Sequence, residues 1–270
     1  MSHSEIYEIT TSTRLNVVFS GSRGPTLIFL HFWGGSSRTF SPITTILSSQ
    51  FRTIAVDFRG WGESTGPQTA DAYSILDLAS DIETLITRLA LEEFILVGHS
   101  MGGKVVQLIA GRGLTKGLKG IVLLAPAPPS PLVIPVDMKT TQMSAYSTPE
   151  SAEFVVRNVL SASPLTDETI AMLVADIMKG NNYASMAWPV YAMLEDIVAE
   201  VKKSKVPVLV VAAELDKIEP IERLRSEVLE NSVEADTEMV VVKGSGHLLP
   251  VESPLEVSKC IEGFVRKVTV

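Results

Sequence analysis

Short apolar runs alternate along this chain with longer stretches in which apolar residues recur every three or four positions. Thr26 to Leu30, Arg52 to Val56, Phe94 to Val97, Gly120 to Leu124, Val206 to Ala212 and Glu238 to Val242 are rich in Val, Ile and Leu. That composition suits strands buried on both faces. Helical spacing covers about Phe40 to Ser49, Ser74 to Ala90, Lys104 to Ala110 and Pro254 to Val268. Strands alternating with helices predict an α/β architecture with a mostly parallel, doubly wound sheet. Ile6 to Ile9 and Leu15 to Phe19, separated by polar residues, predict an opening hairpin.

The alternation breaks after Leu124, at Ala125-Pro126-Ala127-Pro128-Pro129-Ser130-Pro131. Proline at this density continues neither strand nor helix, so the chain leaves the sheet here. The pattern predicts a core over residues 1–126, a helical cap over 127–205 and a return to the core over 206–270. Within the cap, helical periodicity covers Pro149 to Leu160, Thr166 to Lys179 and Pro189 to Val201, the second with Asp167 and Glu168 in its first turn and Gly180 at its end. Six of the nine methionines fall there: Met138, Met143, Met172, Met178, Met186 and Met193. Flexible thioethers suit either an adaptable apolar pocket or ordinary helix packing.

Composition narrows the function classes. The chain has 270 residues, of which 46% are hydrophobic, enough for one large core with an inserted subdomain. A net charge of −8 without a cluster of Lys and Arg argues against nucleic acid. The first residues carry no basic-then-apolar signal and no apolar run has bilayer length, so the expectation is a cytoplasmic protein with no membrane partner, monomeric or homodimeric. One cysteine, Cys260, rules out an internal disulfide and a cysteine-rich metal site. Its place in the C-terminal helical pattern marks it as a core residue.

The chemistry concentrates in Val97-Gly98-His99-Ser100-Met101-Gly102-Gly103, a serine between glycines where an apolar strand run gives way to a helical one. A hydroxyl held on a sharp strand-to-helix turn needs small neighbours, because side chains at positions 98 and 102 would collide with the turn or the adjoining strand. At the helix N-terminus the backbone N–H groups favour a developing oxyanion. Ser100 is therefore the candidate nucleophile, and it requires a base. Of four histidines, His3 lies in an expectedly mobile terminus, His99 should point away from Ser100, and His31 is placed to brace a loop. His247 remains, in a glycine-rich loop after the last strand run, on the sheet edge where ligands bind in α/β folds. Asp216, in Ala213-Glu214-Leu215-Asp216 after another strand run, is the candidate acid that fixes the imidazole tautomer, with Glu214 as its rival. The N–H groups of Met101 and Phe32 are the candidate oxyanion donors, with Trp33 the alternative to Phe32 in His31-Phe32-Trp33-Gly34-Gly35-Ser36. Trp33, Trp188, Met193 and Leu248 are the candidate substrate-contacting residues.

Asp57-Phe58-Arg59-Gly60-Trp61-Gly62-Glu63-Ser64 has glycines but not the order that dinucleotide binding needs, and is read as structural bracing. No metal or cofactor is implied. Together with the serine turn, the His31 to Ser36 loop, Ala213 to Asp216 and Gly244 to Pro250, this segment makes nearly the whole chain resemble cap-bearing serine hydrolases of the α/β-hydrolase fold. The order Ser, Asp, His is the order of that fold. Phe32 departs from the common pattern, in which glycine follows the histidine, and implies an aromatic wall. Serine at position 100 sets the chain apart from the epoxide hydrolases and haloalkane dehalogenases, which place aspartate there. The resemblance implies hydrolysis of a carboxylic ester of a small to medium apolar molecule through an acyl-enzyme. Perhydrolase or haloperoxidase-like chemistry, C–C bond hydrolysis and a slow-turnover ligand receptor are the alternatives this superfold leaves open.

Overall fold

The computed structural model describes residues 2–232 and 234–269. Eight strands form one sheet: β1 (His3–Thr10), β2 (Thr13–Ser20), β3 (Thr26–Leu30), β4 (Arg52–Val56), β5 (Phe94–His99), β6 (Leu118–Leu124), β7 (Val208–Ala213) and β8 (Thr237–Val242). Their order is β1-β2-β4-β3-β5-β6-β7-β8. β1 and β2 form the expected hairpin, and β2 pairs antiparallel to β4. All other pairs are parallel. His3 opens β1 and stacks on Phe19 with ring centroids 5.1 Å apart, which corrects the expectation that it lies in a mobile terminus.

β3, β5 and β7 are buried along their whole length because both faces of the sheet are covered there, whereas β8, at the sheet edge, buries only Val242. Ile28, Leu30, Ile54, Val56, Leu96, Leu123 and Val210 point into one core, and their neighbours Leu27, Phe29, Ala55, Val97, Val122 and Val211 into the other. The first core is roofed by α2 (Ile75–Arg88) and α3 (Met101–Arg112), the second by α1 (Ser41–Leu47) and the C-terminal α11 (Pro254–Val268). α2 starts where it does because Ser74 and Asp77 satisfy each other's N–H groups in a capping box. Apolar residues Ile75, Leu78, Ile82 and Leu85 then share its buried stripe.

Between β6 and β7 the chain is helical: α4 (Val136–Ser144), α5 (Pro149–Val155, continued by a wider turn over Val156–Leu160), α6 (Asp167–Lys179), α7 (Asn182–Val190) and α8 (Val198–Val201). Gly180 ends α6, but not with left-handed backbone. A Cβ there would meet the Trp61 ring at 2.3 Å, so the glycine makes room for the indole. The expectation of a helix starting at Pro189 is corrected. Asn181 caps the helix by accepting from the Ala184 N–H, and Pro189 falls in its last turn. Proline has no N–H to give to the carbonyl four residues back. That carbonyl, of Ser185, instead accepts from Trp33 Nε1 at 3.0 Å.

The methionines of this insertion do not form an inner face. Met138, Met143, Met178 and Met186 are exposed and only Met193 is fully buried. α4 has no buried residue, and its apolar content is too low to have shown a helical stripe. Residues 221–229 form a further helix, α9 (Ile221–Arg223) with wider turns over Leu224–Leu229, not anticipated from the sequence. It buries only Leu224 and Val228. Among the described residues no helix is long and apolar enough to cross a membrane.

Candidate active site

Parallel pairing brings the carboxyl ends of β3, β5, β7 and β8 to one edge. Leu30 is in register with Gly98, His99 with Leu124, and Ala213 with Val242. The segments that follow those ends carry Phe32, Ser100, Asp216 and His247.

Ser100 has φ 53° and ψ −114°, backbone that a residue with a side chain adopts at a cost of about 1–3 kcal/mol. The turn is held by its ends: Ser100 N–H donates to Leu124 O at 3.0 Å, and Ser100 O accepts from Ala127 N at 3.0 Å. Both flanking glycines are sterically required. A Cβ on Gly98 would lie 2.4 Å from Gly102 O, and one on Gly102 would lie 2.3 Å from Leu30 O and 2.7 Å from His31 O. The second contact shows that α3 starts directly against the end of β3. It sets the N–H of Met101, at the first position of α3, beside the loop that carries Phe32. The first N–H groups of a helix have no partner within it, and the Phe32 N–H makes no backbone hydrogen bond among the described residues. His31 braces this loop as expected. Its Nδ1 donates to Phe32 O at 2.7 Å and its Nε2 accepts from Phe58 N at 3.0 Å. Burial pushes its pKa down to about 4, so it is neutral at pH 7.

His247 and Asp216 are joined. His247 Nδ1 lies 2.8 Å from Asp216 Oδ2, and Asp216 Oδ1 accepts from the N–H groups of Ile218 and Glu219 at 2.8 and 3.0 Å. Burial alone would raise the Asp216 carboxyl. The charge and hydrogen bond of His247, helped by those two N–H groups, outweigh it and hold Asp216 below the usual carboxylate range. Burial alone would lower His247, but Asp216, then Glu219 and Glu252, outweigh it and raise the imidazole above its ordinary value. Glu214 does not reach the histidine; its carboxylate accepts from Gly244 N at 2.9 Å and braces the loop. Ser100 Oγ makes no hydrogen bond to His247 or to any other described residue. The two are neighbours through His99, whose Nε2 donates to His247 O at 2.7 Å and whose ring centroid lies 5.2 Å from that of His247. His99 thus supports the histidine loop, a role the sequence did not reveal. Burial lowers its pKa to about 3, and its Nδ1 is unpartnered.

The helical insertion closes over this edge. Phe32 and Leu248 are buried in a cluster with Val156 and Leu160 after α5 and with Ile170, Leu173 and Ile177 of α6. Trp33 is half-buried and stacks on Tyr146 at 4.1 Å. Trp188 and Met193 are 5% and 1% exposed in the main core with Met101. A cavity of about 890 Å³ lies between the start of α2 and α7, lined by Leu76, Tyr183, Met186, Val190 and Tyr191 among others; neither Trp188 nor Met193 lines it, nor do Ser100, Asp216 and His247. Lys104, four residues past Ser100, is fully buried and donates to Ser130 O at 3.0 Å and Met193 O at 3.3 Å, tying the insertion to α3. A lysine inside an apolar run gave no signal of this in the sequence. The Asp57 to Ser64 segment is bracing: Asp57 accepts from Asn16, Ser37 and Glu63, and Arg59 makes a paired contact with Asp81.

The model of the alpha/beta hydrolase family matches residues 27–259. A 2-(acetamidomethylene)succinate hydrolase of Mesorhizobium japonicum is 47% identical over 90 residues, a match that spans 33% of this chain and 31% of that protein. A non-heme chloroperoxidase of Kitasatospora aureofaciens is 26% identical over 83% of this chain and 86% of its own. The solved structure of an esterase from Exiguobacterium antarcticum superposes with a TM-score of 0.86 at 19% identity, covering 98% of this chain and all of that one.

Proposed function

The chain belongs to the alpha/beta hydrolase family, and from that membership and the site geometry we propose that it is a serine hydrolase cleaving a carboxylic ester of a small to medium, largely apolar molecule. The observation that carries the reading is the 2.8 Å contact between His247 and Asp216 on the same sheet edge as a serine at φ 53°. In this reading His247 removes the proton of Ser100 as Oγ attacks the ester carbonyl. Asp216 holds the Nδ1–H tautomer and stabilises the imidazolium that forms. The N–H groups of Phe32 and Met101 receive the oxyanion of the tetrahedral intermediate. Collapse expels the alcohol, which takes the proton from His247. Water then attacks the acyl-enzyme by the same steps in reverse order of partners. The apolar cluster of Phe32 and Leu248 under α5 and α6 supports a largely apolar acyl group.

A second reading keeps the acyl-enzyme and replaces water with hydrogen peroxide. The chloroperoxidase relative, matched over most of both chains, favours it. One experiment tests the shared chemistry and another separates the two acceptors. A fluorophosphonate should add covalently to Ser100, located by mass spectrometry, and abolish ester hydrolysis, as should Ser100→Ala. An adduct elsewhere, or full activity in Ser100→Ala, refutes both readings. Peracid formation in buffered peroxide faster than hydrolysis would select the second.

A further inference from the structure

Glu252, the last residue of the short helix α10 (Leu249–Glu252), accepts five hydrogen bonds. Two come from the histidine loop, Gly246 N at 3.0 Å and Leu248 N at 3.1 Å. Three come from the helical insertion, Ala162 N at 2.9 Å, Ser163 N at 2.9 Å and Ser163 Oγ at 2.8 Å. The N–H between the first two, that of His247, donates to Leu160 O of the same insertion at 2.8 Å. Three consecutive N–H groups around the candidate base are thus committed, the outer two to Glu252 and the middle one to the insertion. Contact is close enough that a Cβ on Gly246 would lie 2.6 Å from Ala162 N and 2.8 Å from Leu160 O. The insertion also covers Phe32 and Leu248 through Val156, Leu160 and α6. It cannot lift from the site without breaking the Leu160 bond and three of the five bonds to Glu252.

We propose that Glu252 is a positioning residue that makes the placement of His247 conditional on the seating of the helical insertion, an inference that rests on the hydrolytic reading above. When the insertion is seated, residues 246–248 are fixed and His247 meets Asp216. When it lifts to admit substrate or release product, His247 loses its backbone anchor and Glu252 loses its partners on the far side. The base is therefore set only while the insertion covers the site, which couples proton transfer to exclusion of bulk water. The charged and titratable groups facing His247 are Asp216, Glu219, Glu252 and His99.

Glu252→Gln tests this, because one carboxylate oxygen becomes an NH₂ group aimed at N–H donors. Amide hydrogen exchange should accelerate together at residues 160–163 and 246–248. The value of kcat should fall about 10- to 100-fold, the range for losing charge-assisted hydrogen bonds, with a smaller change in KM. Removing the carboxylate charge should also lower the His247 pKa, read from the imidazole resonances and from the acid limb of the kcat/KM profile. Gly246→Ala wedges the insertion off the loop while leaving the carboxylate, and should reproduce the paired exchange and the loss of kcat. Ser163→Ala, which removes one insertion-side bond, should move exchange in the same direction by less. The proposal is overturned if residues 246–248 keep wild-type protection while 160–163 open, or if both open and kcat is unchanged. Exchange and imidazole titration need no substrate, so they decide the coupling even if the wild-type enzyme fails to label at Ser100, an outcome that refutes the hydrolytic reading alone.

Discussion

His99 offers a quantitative test of the electrostatics behind the site. Its ring is fully buried, its Nε2 donates to His247 O, and burial lowers its pKa to about 3 from an ordinary value of 6.5. The folded state therefore keeps His99 neutral at pH values where the unfolded chain binds a proton. For a depressed pKa of this kind the stabilising contribution is complete above pH 6.5 and is lost as pH falls toward 3. One proton bound only by the unfolded state changes stability by about 1.4 kcal/mol per pH unit. His99→Gln retains a donor for His247 O and has no titration. Between pH 6.0 and 4.5 the wild type should thus lose about 2 kcal/mol more than the variant. His31, lowered to about 4, and Glu219, raised by burial to about 8, also titrate but are common to both proteins and cancel in the difference. The assay is urea unfolding at half-unit pH intervals, with stabilities extrapolated to water. The expected result is a pair of curves that converge or cross as pH falls. Parallel curves would show that His99 is charged in the folded protein and would refute the account of its burial.

Asp216→Asn should lower kcat about 10⁴-fold while the fold survives, the loss expected when the acid that fixes the tautomer is neutralised. Glu214→Gln should do much less, since that carboxylate braces Gly244 rather than His247; equal losses in steady-state kinetics would assign the wrong acid. Trp188→Ala and Met193→Ala should each lower stability by about 2–5 kcal/mol, as expected for buried large-to-small changes, and leave the preference among ester chain lengths unaltered. A change in that preference without loss of stability in thermal unfolding would place them in the substrate pocket instead.

What the sequence determined by itself is whatever local chemistry dictates. Buried parallel strands read as continuous apolar runs, and each of the six runs from Thr26 to Val242 proved to be a strand, though the last, β8 at the sheet edge, buries only Val242. The serine turn was legible because its steric demand is written into adjacent residues, Gly98 and Gly102, and the glycines are required at those places. Asp216 and His247 were found because a parallel sheet sends every strand's carboxyl end to one edge, so position after a strand is position in space. The tertiary structure decided what depends on partners distant in the chain. Pro189 reads locally as a helix start, yet it closes one because Asn181 caps earlier and Trp33 takes the freed carbonyl. Methionine content says nothing of which way a helix faces, and most of those in the insertion face solvent. Glu252, Lys104 and His99 carry no motif. Their roles arise from hydrogen bonds to backbone groups, and any residue can supply those groups, so no residue type at the far end marks them. They became visible only once folding had set Ala162, Ser130 and His247 against them.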